Sequence, residues 1–96
     1  MKKYELRGEK MGELSKLPNI GKDTERQLNQ VGIETVDDLK KTGAENAWLK
    51  IQEIDPSACI NRLQALEGAL WGVKKTMLPQ ERKDELKKFY QEHKLG

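Results

Sequence analysis

The chain has 96 residues, of which 35% are charged and 35% hydrophobic, with two Trp, two Tyr and one Phe. This suits one domain whose small core is built from Leu, Ile, Val and Ala, and leaves little room for a deep active-site cavity. A formal net charge of +2 is too small to imply by itself the strong field of a protein that coats DNA nonspecifically, and a single cysteine excludes an internal disulfide.

The charge is unevenly spread. Residues 1–16 hold five basic and three acidic side chains, residues 17–43 four and five, residues 44–78 four and four, and residues 79–96 five and four. The opening Met-Lys-Lys-Tyr-Glu-Leu-Arg-Gly-Glu-Lys lacks the apolar stretch of a signal peptide, and no apolar run approaches membrane-spanning length. The expected location is a reducing cytoplasm, with no membrane partner.

In chain order, residues 1–11 show no period and read as an arm, and residues 12–96 as the domain. A short opening helix falls within residues 11–16, with Leu14 and Leu17 inward, before Pro18 and Asn19 break it. Residues 22–31 form the next helix, with Leu28 and Val31 on one face. Gly32 suits a left-handed cap closed by Ile33. Thr35 and Asp38 make a capping-box variant that starts a third helix, which Gly43 ends.

Ala44, Ala47, Trp48, Ile51 and Ile54 recur at helical spacing, and Asp55-Pro56 then combines a cap residue with a first-turn proline. The apolar stripe Cys59, Leu63, Leu66, Leu70, Val73 and Met77 predicts a central core helix. Ala65, Gly68, Ala69 and Gly72 lie beside it. Interior glycines cost roughly 1 kcal/mol each, so close backbone packing is expected against Gly68 and Gly72. Pro79 opens a last helix, acidic early and basic late, with Leu86, Phe89 and Tyr90 on its apolar edge. The reading is all-α: a single compact domain of about five helices containing a helix-hairpin-helix-like unit.

The sharpest motif is Leu17-Pro18-Asn19-Ile20-Gly21-Lys22. A hairpin of this kind exposes the unpaired amides of the helix that follows, a device that holds phosphate without reading bases. Asn19, Ile20, Gly21, Lys22 and Thr24 would form the grip, with Lys16, Lys22 and Arg26 as cations. The competing reading is architectural: the hairpin merely joins two helices, and Asp23 and Glu25 in the first turn satisfy the dipole that a phosphate would use. Cys59 reads as a small core residue and His93 as solitary, with no metal site. Trp48 and Trp71 read as core or interface packing, and Glu67 as partly buried, bonded to backbone or Arg. No acid pair, Ser/His set, P-loop or dinucleotide fingerprint is present, so neither enzymatic activity nor a cofactor is expected.

Taken together, Leu-Pro-Asn-Ile-Gly-Lys, Val-Gly-Ile-Glu-Thr-Val-Asp-Asp-Leu, the Gly43-Ala44 break with Trp48 after it, and Ala65-Leu66-Glu67-Gly68-Ala69-Leu70-Trp71-Gly72 resemble the C-terminal domain of the TfoX/Sxy competence regulators, over residues 12–92. The hairpin also resembles the one in the C-terminal domain of the bacterial RNA polymerase α subunit. Both resemblances imply bacterial transcription or DNA transactions. The chain departs from many DNA-binding hairpins in having Asn19 where they have glycine and Glu25 where they have a small residue. Family members resembling the competence activators carry a further N-terminal domain where this chain has an arm.

The leading expectation is a non-enzymatic, DNA-associated or transcription- and competence-linked accessory protein that grips DNA backbone weakly and nonspecifically, with a transcription protein as a second partner. The alternative is a protein-interaction module or homodimer using the Trp48 region, the Gly68/Gly72 face or the last helix, with the hairpin only architectural.

Overall fold

The computed structural model describes residues 13–94, among which there are five α-helices and no strand. The helices are α1 (Lys22–Gln30), α2 (Val36–Thr42), α3 (Ala44–Ile54), α4 (Ile60–Trp71) and α5 (Gln80–His93), with 3-10 turns at Leu14–Lys16 and Lys75–Met77. The arm of residues 1–11 lies outside the described residues, as does the start of the opening helix. What is described of that helix is one 3-10 turn with Leu14 fully buried.

The sequence signals mark most helix ends. At the close of α1 the Ile33 amide donates to the Leu28 carbonyl at 2.8 Å and the Gly32 amide to Asn29 at 3.1 Å, the paired bonds of a Schellman ending. Ile33 is buried against the core. Thr35 caps α2 through a reciprocal box: its hydroxyl accepts from the Asp38 amide at 3.0 Å while Asp38 accepts from the Thr35 amide at 3.2 Å.

The central helix differs from the predicted one at both ends. Asp55-Pro56 does not start it; instead Asp55 accepts from the Ser57 amide at 3.1 Å and hydroxyl at 2.5 Å, a local turn that competes with helix. Helix begins only at Ile60, so Cys59 is an exposed N-cap residue rather than part of the buried stripe. At the far end Gly72 takes φ 73° and terminates α4, so Val73 and Met77 lie beyond it and Met77 is 70% exposed. The apolar spacing ran through a chain reversal, because periodicity alone does not register a glycine that turns left-handed.

The core gathers Leu14, Ile20, Leu28, Leu39, Trp48, Ile51, Leu63, Leu66, Leu78 and Leu86 around the α3–α4 pair, with α5 laid across α4. Trp48 is fully buried, meets Phe89 and Tyr90 of α5 edge-on, and donates its indole hydrogen to the Cys59 carbonyl at 3.1 Å. A large ring buried with its one polar atom satisfied contributes area without an unpaired donor. Gln52, also buried, donates to the His93 carbonyl at 2.9 Å and ties α3 to the end of α5.

Candidate nucleic-acid interface

The hairpin is anchored from below. Ile20 is buried, and Leu17 packs against the same core. Gly21 then precedes α1 without supplying a side-chain cap, and among the described residues the amides of Lys22, Asp23 and Thr24 have no acceptor. A side chain at Gly21 would meet nothing within 4 Å, so this edge of the hairpin faces open space. Uncapped first-turn amides carry the partial positive charge of the helix end.

The two acids that compete with a phosphate are both engaged. Glu25 is buried and its carboxylate accepts from the Ser15 amide at 3.1 Å, which holds the 3-10 turn onto α1. Asp23 pairs with Arg26 at 3.1 Å on the exposed surface. Arg26 is thus partly neutralised, whereas Lys16 and Lys22 are exposed with no carboxylate within ion-pair distance among the described residues. The Thr24 side chain is buried and offers only its amide.

Asn19 has a task the sequence did not disclose. It sits at φ 69°, the left-handed conformation that glycine adopts freely and that Asn tolerates better than most residues. Its side chain points inward: Nδ2 donates to the Val73 carbonyl at 2.9 Å, and Oδ1 accepts from the Lys75 amide at 3.1 Å. Both polar atoms are engaged within the chain, so Asn19 presents chiefly its backbone to a phosphate. The clip brings Lys74, which is exposed between the two bonded residues, and half-buried Lys75 beside the hairpin. No local sequence signal links positions 54 and 56 residues apart.

Gly68 makes that clip possible. A Cβ there would lie 2.6 Å from Asn19 Nδ2, 2.9 Å from the Val73 carbonyl oxygen and 3.1 Å from Lys75 Cα. The expected close approach at Gly68 is therefore real, but the segment that approaches is this chain's own connection. The Gly68 face is covered and Trp48 is interior, so neither supplies the surface that the interaction-module alternative would use. Gly72 ends the helix with open space around it.

On the next position of α4 stands Glu67, buried and held as expected by an arginine, Arg82 of α5, at 2.6 Å. Trp71 donates to the same carboxylate oxygen at 2.9 Å. Trp71 is 53% exposed, so of the two expected placements, core or interface, it is not in the core. The Glu67 carboxylate and its hydrogen bond, with Glu85 and Glu45 nearby, hold the Arg82 guanidinium firmly protonated, above its ordinary range. No group of three or more His, Cys, Asp or Glu with metal-binding geometry occurs among the described residues, and no described helix is long and apolar enough to cross a membrane.

Comparison with known proteins agrees with this architecture. The model of the TfoX C-terminal domain family matches residues 10–90. Protein Sxy of Escherichia coli is 36% identical over 73 residues, covering 76% of this chain and 35% of Sxy. The DNA transformation protein TfoX of Haemophilus influenzae is 35% identical over 86 residues, covering 90% of this chain and 40% of TfoX. The chain thus spans well under half the length of these relatives. Two crystal structures from Listeria monocytogenes, both of proteins without assigned function, superpose closely. One has TM-score 0.82 and 45% identity, covering 86% of this chain and 98% of the other. The second has TM-score 0.80 and 47% identity, covering 81% and 96%.

Proposed function

The chain belongs to the TfoX C-terminal domain family, and on that premise we propose that it is a non-enzymatic accessory of DNA uptake or transcription that holds the DNA backbone through its hairpin. The observation that carries this reading is the uncapped first turn of α1, presented outward on a hairpin that Ile20 and the Asn19 clip keep rigid. Two relatives, one of them a DNA transformation protein by name, support the process. The cations are Lys16 and Lys22, with Arg26 weakened by Asp23 and with Lys74 and Lys75 added by the clip. Sequence selectivity lies with a protein partner, because amides and lysines at this edge read phosphate and no base.

A salt titration of binding to arbitrary duplex DNA tests the proposal. With about three phosphates neutralised, affinity falls roughly 40-fold between about 50 and 200 mM salt. Lys22→Glu weakens binding at low salt and flattens the slope. Undetectable binding at the lowest salt, or affinity indifferent to salt, overturns the reading and leaves the hairpin as a helix connector.

A further inference from the structure

The C-terminal end of α4 carries a second face with the opposite charge. Trp71 is 53% exposed, yet its ring is tethered, because its indole hydrogen is donated to Glu67 at 2.9 Å. Arg82 shares that carboxylate and also meets Glu85 at 3.1 Å and Glu45 at 3.5 Å. Three carboxylates share one guanidinium, an ion cluster of formal charge −2 that reaches the indole through Glu67, and Glu45 and Glu85 are 38% and 59% exposed at their side chains. The carbonyl end of α4 adds partial negative charge at the same place.

The core does not require this tryptophan on the surface. Successive helix positions are about 100° apart, so the Glu67–Trp71 stripe stands to one side of Gly68 and of the lysine-bearing clip packed on it. An exposed Trp already tethered by a hydrogen bond has less freedom to lose on docking, and Trp is among the residue types enriched as interface anchors. Its face attracts a cation, and Glu45 and Glu85 belong to the same ion cluster as the Glu67 carboxylate that holds it.

We infer that Trp71, with Glu45 and Glu85, is a docking surface for a protein segment that presents an Arg or Lys beside an apolar side chain. The apolar group covers the indole, and the cation takes the ring face and the surplus carboxylate charge. This surface is independent of the hairpin and is free to hold a partner while the hairpin faces DNA.

The test uses the full chain labelled with nitrogen-15, in which the two indole N–H signals report separately on Trp71 and on buried Trp48. The probes are a heptapeptide alternating Leu with Arg and the same peptide with citrulline in place of each Arg. The Arg peptide is expected to move the Trp71 signal saturably and leave Trp48 in place, with the citrulline peptide about fivefold weaker. Trp71→Ala weakens binding, read on backbone amides, about tenfold or more, and the exposed-site variant Glu85→Gln about threefold. Lys22→Glu leaves the titration unchanged, which separates this surface from the hairpin. No saturable shift, equal affinity for the two peptides, or indifference to Trp71→Ala overturns the inference. So does a Trp71 shift that follows protein concentration alone, with dimers in sedimentation, since a second copy then covers the face.

Discussion

Glu67 and Gly68 are neighbours on α4, and each holds a distant segment by a different physical means. Gly68 provides space: the absence of a side chain lets Asn19 and the backbone at Val73 and Lys75 come within contact, and the clip is made of neutral hydrogen bonds to main chain. Glu67 provides charge: a buried carboxylate is tolerable because Arg82 and the Trp71 indole both donate to it. The first junction fails when something is added, and the second when something is removed. Steric junctions are intolerant of methyl groups, whereas buried ionic ones are intolerant of a missing partner yet accept joint replacement by apolar side chains.

The largest effect is expected from Arg82→Met, which leaves Glu67 buried without its counter-charge and costs about 3 kcal/mol in urea unfolding at neutral pH. The double variant Glu67→Leu with Arg82→Met should recover most of that loss. If it does not, the ionic junction is more specific than the comparison allows. Gly68→Ala should cost about 2 kcal/mol even though Ala favours helix by roughly 1 kcal/mol, because the new methyl group meets the Val73 carbonyl. A neutral outcome in the same assay would mean that the clip segment yields freely.

Asn19→Gly keeps the left-handed turn and deletes the clip, for about 1 kcal/mol, while Asn19→Ala adds roughly another 1 kcal/mol of backbone strain. Equal losses would show that the φ of 69° is unimportant to the folded state. The smallest effect concerns the exposed cap of α2. The Glu34 amide, followed by the Thr35 hydroxyl and amide and the Lys41 charge, holds the Asp38 carboxyl below its usual range. A depressed folded-state value means that the cap stabilises fully above the ordinary carboxylate pKa. That contribution is lost as pH falls through the lower folded value. Carboxyl carbon shifts across an acid titration should place Asp38 below the exposed acids, and Thr35→Ala should bring it back toward them.

Much of the fold was legible in the sequence because it depends on local signals: Gly32-Ile33, the Thr35/Asp38 box and Gly43 each act within a few residues. Trp48 as core or interface packing followed from helical spacing, and it is in the core. The limits of α4 were misread where a local turn at Asp55 and a reversal at Gly72 interrupted an otherwise continuous stripe, displacing Cys59 and Met77 to the surface. At the candidate site, the uncapped amides and the lysines of residues 16 and 22 could be read directly. The inward turn of Asn19, the burial of the Glu25 carboxylate and the arrival of Lys74 could not.

The sequence by itself determined an all-helical domain, most of its helix ends and most of its core, since these are fixed by interactions among residues close in the chain or by hydrophobic period. Only the tertiary structure decided which polar side chains were consumed inside the fold and which were left facing outward. In one dimension Asn19 reads as part of an outward-facing grip and Trp71 as core or interface packing. A carbonyl 54 residues away turns the first inward, and the Glu67 carboxylate one helical turn back, anchored by Arg82 from α5, holds the second in the open.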